Sequence, residues 1–492
     1  MKKGKKGWHW IAGGGFALLF VILLAVRLDV FQRSGGVISW GSAPAVKSVR
    51  SDDHWMTITQ AKRKIGYAHR TLTTTEKGYR LEESVLMRIS TMGVVQDIRM
   101  RTQSDLHADM TLSVFDFDLQ SHLFRFVARG EIKGKEAVIH YGTPTALRKM
   151  VLPLQEAPHL SNSMFDVLRG KELKTGDEIV IHVFDPATMG QRPVRLNVMG
   201  QETIAVMGEQ RKALKLDVDF MGARQFAWLG EEGDVLREEG MLGMMLERVT
   251  KEEALGGLTL SAGADLTEVA SIQANMPIDD PDALTKMTVR LEMNIDMKAL
   301  FLDGGRQRLH NSLLTIEKES WPAGPAGKPY PEEIIPFLRP SPFIQSNDAL
   351  IIKQVREIVA PRDSDRVKAK KIVDWLYRRI EKRPVLSVPN AVETLENRMG
   401  DCNEHAVLLA AMARAAGIPA QVEAGLVYQR GRFYYHAWNV LYLGAWITAD
   451  ATFGKMPADV THIRLVRGGA DRQTDLMGVI GNLKLEIVEL KK

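Results

Sequence analysis

Gly400-Asp401-Cys402-Asn403-Glu404-His405-Ala406 decides how this chain is read, because it sets the one cysteine among 492 residues where an apolar helix should begin. From Ala406 to Ala416 the residues are almost all small or aliphatic, with Val407, Leu408, Leu409 and Met412 among them, and Gly417 and Pro419 then stop the run. A thiol in the first turn of such a helix sits at the positive end of the macrodipole, which favours the nucleophilic thiolate. Cys402 is thus placed to react. A lone cysteine is also among the residue types most often buried as a small hydrophobe, so its neighbours must decide between the two readings.

A cysteine nucleophile needs a base to take its proton and a third group to hold that base in one tautomer. Both stand a short way downstream. Residues Ala420 to Tyr428 and Phe433 to Tyr442 read as β-strands rich in aromatic and branched residues, separated by Gln429-Arg430-Gly431. Leu443-Gly444 makes the next turn, and Ala445 to Asp450 runs back. With the pairing centred near residue 443, the strand partner of His436 is Asp450 or Ala451. His405, one helical turn after Cys402, is the competing base, although that spacing suits a packing role better.

Three ordered motifs, Gly400 to Ala406, His436-Ala437-Trp438 and Asp450-Ala451-Thr452-Phe453-Gly454, resemble the transglutaminase-like superfamily. The resemblance covers about residues 345–470. It implies a papain-related core in which Cys402 is the nucleophile, His436 the general base and Asp450 the orienting acid. The chain departs from the commoner family wording at Asn439, where an acid is frequent, and at Ala451, where a proline is frequent. Neither change removes a catalytic atom. The implied chemistry is acyl transfer through a thioester, by a peptidase or amidase if water resolves it and by a transglutaminase if an amine does. A catalytically silent fold serving as an envelope binding or scaffold module is the alternative. An oxyanion hole would take the Cys402 backbone N–H as one donor, with Asn390, Asn403 and Trp438 as candidates for the second.

The remaining sequence sets the context. At 492 residues the chain is too long for one core. A net charge of +5 is small for this length, and no recognition helix or zinc spacing points to nucleic acid. No His-Glu-x-x-His or comparable ligand cluster points to a metal hydrolase, and no cofactor is expected. Lys2, Lys3, Lys5 and Lys6 precede the apolar run Trp8 to Val26, which as a helix would span about 28 Å, close to a bilayer core. The lysines put this end in the cytoplasm and the bulk of the chain in the periplasm or outside, as a single-pass protein of the inner membrane. A cleaved signal peptide ending near Ala43-Pro44-Ala45 is the rival, but that site lies far beyond the apolar run. A single cysteine allows no internal disulfide, so the thiol would have to survive an exported compartment unpaired.

The expected architecture is α+β. A cytoplasmic tail and membrane helix (1–36) precede a β-rich domain (50–255), a small β unit (275–320), a Pro-rich linker or crossing segment (321–342) and the transglutaminase-like catalytic domain (343–492). Period-two alternation in Val194 to Val198 and Leu214 to Phe220, and the hairpin signal around Gly230 to Asp234, carry the β assignment. Met287, Met293 and Met297 alternate with polar residues and read as one face of a sheet, not as a copper-binding box. Before Cys402, a helix from Asn347 to Val359 capped by Ser346 and a basic helix from Arg366 to Arg383 capped by Asp363 or Ser364 should build the supporting lobe.

Overall fold

The computed structural model describes residues 37–39, 51–122, 124–220, 223–256, 262–293, 300–324, 329–384, 390–468, 476 and 478–492. The expected anchor at 8–26 and the rival cleavage site at 43–45 lie outside these. Among the described residues, no helix is long and apolar enough to cross a membrane.

Residues 52–249 form one long, mostly antiparallel sheet in which successive strands pair as hairpins. Its two arms, Asp52 to Pro153 and Glu178 to Val249, join where Met244–Val249 pairs with Asp52–Gln60. The alternating segments noted above face each other directly, Leu196 opposite Val218 and Val198 opposite Leu216. The sheet curls, because the Phe115 ring of one arm lies 5.2 Å from the Phe184 ring of the other, within one continuous apolar core. The Trp228 hairpin also forms, with Leu229 opposite Val235.

The second β unit is larger than local sequence suggested. Strands β1 (Lys286–Met293), β2 (Gln307–His310) and β3 (Leu313–Glu317) make a sheet whose fourth member is the C-terminal strand Leu483–Lys491. Met287 is buried and Met293 packs against the core, while Met297 lies outside the described residues. The Pro-rich segment crosses the C-terminal core. The Arg366 guanidinium sits 3.8 Å from the Trp321 ring centre, Tyr330 Oη donates to the Gly417 carbonyl at 2.9 Å, and the Phe337 and Trp446 rings lie 5.5 Å apart.

Four helices follow: α1 (Ala349–Ile358), α2 (Asp365–Arg379), α3 (Ala391–Asn397) and α4 (Cys402–Ala415). Asp348, not Ser346, caps α1, since its carboxylate accepts from Leu350 N–H; Ser364 caps α2. From Glu404 to Ala413 every residue of α4 is buried, which is how an all-round apolar helix must sit. It packs against α1, α2 and α3 and against strands β4 (Ala420–Gln429) and β5 (Arg432–Tyr442). Strand β6 (Trp446–Ala449) lies beside β5, and β7 (Ile463–Arg467) beside β4.

Candidate active site

The Cys402 end of α4 is fixed by a reciprocal cap. Asp401 Oδ1 accepts from Asn403 N–H at 2.8 Å, and Glu404 Oε2 accepts from Asp401 N–H at 2.9 Å. His405 is fully buried and its Nδ1 donates to the Asp401 carbonyl at 2.7 Å, so it braces this turn and is not aimed as a base. Strand β5 is paired on its outer edge at Phe433, by Ile272, and from Asn439 onward, by Ala449 and beyond. Between those two pairings the Ala437 N–H faces the Cys402 sulfur. The half-buried thiol therefore meets the sheet one residue from His436.

His436 and Asp450 come together, by a route that corrects the expected register. Tyr442 pairs with Trp446 and Asn439 with Ala449, so the turn is the three residues Leu443-Gly444-Ala445, and continuing the ladder would bring Asp450 opposite Trp438. His436 and Trp438 share a strand face, and Asp450 reaches His436 on the diagonal. His436 Nε2 lies 2.7 Å from Asp450 Oδ2. Phe453 stacks on the imidazole at 4.9 Å between ring centres. The Cys402 sulfur is approached by the Ala437 N–H, and nucleophile–base contacts are commonly loose before substrate binds.

Residues 352–451 match the family model of the transglutaminase-like superfamily, a span that contains Cys402, His436 and Asp450. This segment belongs to the transglutaminase-like superfamily. A candidate cysteine protease from Cytophaga hutchinsonii is 18% identical, over 45% of this chain and 85% of that one, with a TM-score of 0.27. The periplasmic domain of TgpA from Pseudomonas aeruginosa, solved with ethylmercury, is 17% identical over 37% and 74%, with a TM-score of 0.24. A β-barrel-like protein from Brucella abortus is 15% identical over 41% and 98%, with a TM-score of 0.32. No curated protein matches the chain.

Within the transglutaminase-like core, the electrostatics correct one expectation. Burial raises the Cys402 thiol well above its ordinary value, the Asp401, Glu404 and Asp450 carboxylates add to that, and the Ala437 N–H offsets only part. The helix start does not yield a resting thiolate here. Asp450 is fully buried; burial alone would raise its pKa, yet His436 and His462 hold it well below the usual carboxylate range. Its Oδ1 accepts from the backbone N–H of Thr452 at 2.7 Å and of Phe453 at 3.1 Å, so it stays an anion aimed at the imidazoles.

Two oxyanion candidates are engaged elsewhere. Trp438 Nε1 donates to Glu423 Oε2 at 2.9 Å, and the Asn390 side chain caps α3. Asn403, in the first turn of α4, is the one left. The residues that sequence missed are His462, whose Nε2 lies 3.0 Å from Asp450 Oδ2, and Asp459, whose Oδ1 lies 3.3 Å from His462 Nδ1. Both lie beyond the matched span, in a loop with no motif to mark it. The ligand-type atoms of His436, Asp450 and His462 converge within 4.8 Å, but N–H···O bonds among the three account for the convergence without a metal.

Proposed function

We propose that this protein is a thiol acyl-transfer enzyme acting on amide bonds of proteins or peptides, with Cys402, His436 and Asp450 as its triad. The observation that carries the reading is the 2.7 Å His436–Asp450 contact beside the stretch of β5 whose outer edge faces the Cys402 sulfur. With Nε2–H given to Asp450, the His436 Nδ1 lone pair is the one available to the thiol. As the sulfur attacks the amide carbonyl, Nδ1 takes the thiol proton; the tetrahedral oxyanion draws on the Cys402 backbone N–H at the helix start. His436 then passes its proton to the leaving amine, giving a thioester that water or a second amine resolves. Water makes the protein a peptidase or amidase, and a lysine amine makes it a transglutaminase. The lysine-flanked apolar run at 8–26 supports placing the enzyme at the inner membrane, with its bulk in the periplasm or outside.

The test is mass spectrometry of envelope proteins incubated with wild-type and Cys402→Ala protein, alongside iodoacetamide labelling. New peptide ends with wild type alone mean hydrolysis, and one ammonia lost per crosslink means transamidation. Cys402 labelling unchanged by His436→Ala, together with neither new peptide ends nor crosslinks from wild type, would overturn the reading in favour of a silent scaffold.

A further inference from the structure

His462 is fully buried between two carboxylates. Its Nε2 lies 3.0 Å from Asp450 Oδ2 and its Nδ1 3.3 Å from Asp459 Oδ1. Neither acid shows a contact that would need it to carry a proton. Asp450 accepts from two backbone N–H groups at Oδ1 and from His436 at Oδ2. Asp459 accepts from the Thr461 N–H at 2.9 Å and Thr461 Oγ1 at 2.5 Å, and Lys455 Nζ lies 2.7 Å from its Oδ2. A ring that faces an acceptor-only carboxylate at each nitrogen must donate from both, and only the imidazolium does so. A neutral ring would turn a bare lone pair toward an anion at 3.0 or 3.3 Å, too close for a water between them.

We infer that His462 is a positioning residue held as an imidazolium between Asp450 and Asp459, and that its charge sets how strongly Asp450 stabilises a protonated His436. The inference rests on reading Cys402 and His436 as the reacting pair. Burial pulls the His462 pKa down, but its bonds to Asp450 and Asp459 prevail and the net shift is upward. The other groups facing it are consistent. The His436 ring lies edge-on at 5.9 Å, the uncharged Trp438 and Phe453 rings at 5.2 and 6.1 Å, and Arg306 donates to the His462 and Asp459 backbone carbonyls. The row of charge runs Asp450 minus, His462 plus, Asp459 minus, Lys455 plus.

Asp450 thus divides one negative charge between two imidazoles. The fixed cation weakens its pull on a proton at His436, which favours charge separation only as the sulfur attacks. Such a base yields its proton to the leaving amine more readily than one locked in an ion pair.

Removing the cation should reverse this. His462→Gln keeps an N–H donor for Asp450 but no charge, so it should let Asp450 hold a protonated His436 more strongly. Iodoacetamide alkylation of Cys402 at pH 6 should then be about tenfold faster than in wild type. A purely structural role would lower stability without moving the pH profile. The direct readout is nitrogen NMR of the full-length, histidine-labelled wild-type protein, assigned by ring-to-backbone correlation. Both His462 ring nitrogens should carry protons at pH 8. A neutral His462 ring at that pH, or a folded His462→Gln protein whose alkylation profile overlays wild type, overturns the inference. Absent Cys402 reactivity in wild type would instead overturn the acyl-transfer reading, with the NMR signature still deciding the state of His462.

Discussion

Asn439 Nδ2 donates to the Ala406 carbonyl at 2.9 Å, tying the strand that bears His436 to the helix that begins at Cys402. The same amide also reaches the Gln421 carbonyl at 3.3 Å, so one fully buried side chain joins α4, β4 and β5. This is one of the two positions at which the sequence departs from the commoner family wording. An acid here would have no proton to give either carbonyl.

Asn439→Asp should therefore be strongly destabilising, by about 3 kcal/mol or more, because it buries a carboxylate against two carbonyl oxygens. Asn439→Ala, which only leaves the carbonyls unsatisfied, should cost about 1–3 kcal/mol. Urea midpoints at neutral pH measure both; an Asp variant as stable as wild type would show that the amide is not the tie described.

Gly400 has no room for a side chain. A Cβ there would lie 2.3 Å from the Glu404 Cβ, and Glu404 holds the reciprocal cap on Asp401. Gly400→Ala should lose about 1–3 kcal/mol and slow Cys402 alkylation by shifting the helix start. Unchanged denaturation and alkylation would mean that the cap does not fix the thiol.

Trp438 separates packing from catalysis. Its indole N–H is given to buried Glu423, which Arg467 also contacts through Nε at 2.8 Å. Trp438→Phe should cost about 1–3 kcal/mol in stability. The turnover of the folded protein should fall less than tenfold, against the hundredfold or more typical of losing an oxyanion donor. A hundredfold fall in kcat at unchanged KM would put the indole in the reaction after all.

Stability should respond to pH from both sides. Burial favours the neutral acid at Asp450 and Asp459, but their imidazole partners prevail and depress both below the ordinary value of 3.8. Their contribution is complete above about pH 4 and is lost as pH falls further. His462 is raised above 6.5, so its contribution is complete below that value and fades as pH climbs through the raised one. Scanning calorimetry should show a melting temperature that holds between about pH 4 and 6.5 and drops on the acid side. Asp459→Asn should lower that plateau and flatten the acid limb. An acid limb identical to wild type would show that Asp459 is not ionised in the folded protein.

Much of the site was legible because it rests on local rules. The α4 start follows from the apolar run that opens after Cys402 and ends at Gly417 and Pro419. The β4–β5 hairpin follows from aromatic alternation around Arg430-Gly431, both at positive φ, 49° and 84°. The pairing beyond Tyr442 was read one to two residues out because its centre was set near residue 443, whereas the three-residue turn centres it on Gly444, and moving the centre by one residue moves the strand partner by two. The thiolate expectation failed for a different reason. A macrodipole is visible in a sequence, whereas the burial and carboxylates that oppose it are not.

The sequence by itself determined the helix that carries the thiol, the strands that carry imidazole and carboxylate, and the superfamily of residues 352–451. Only the tertiary structure decided that Leu483–Lys491 completes the sheet of Lys286–Met293, that Met244–Val249 closes onto Asp52–Gln60, and that His462 sits behind Asp450. These pairings join residues from a dozen to just over two hundred positions apart, with turns or whole domains between them. Their selection depends on which apolar faces and buried charges satisfy one another once the chain is packed, a property of the assembled core and not of any local window.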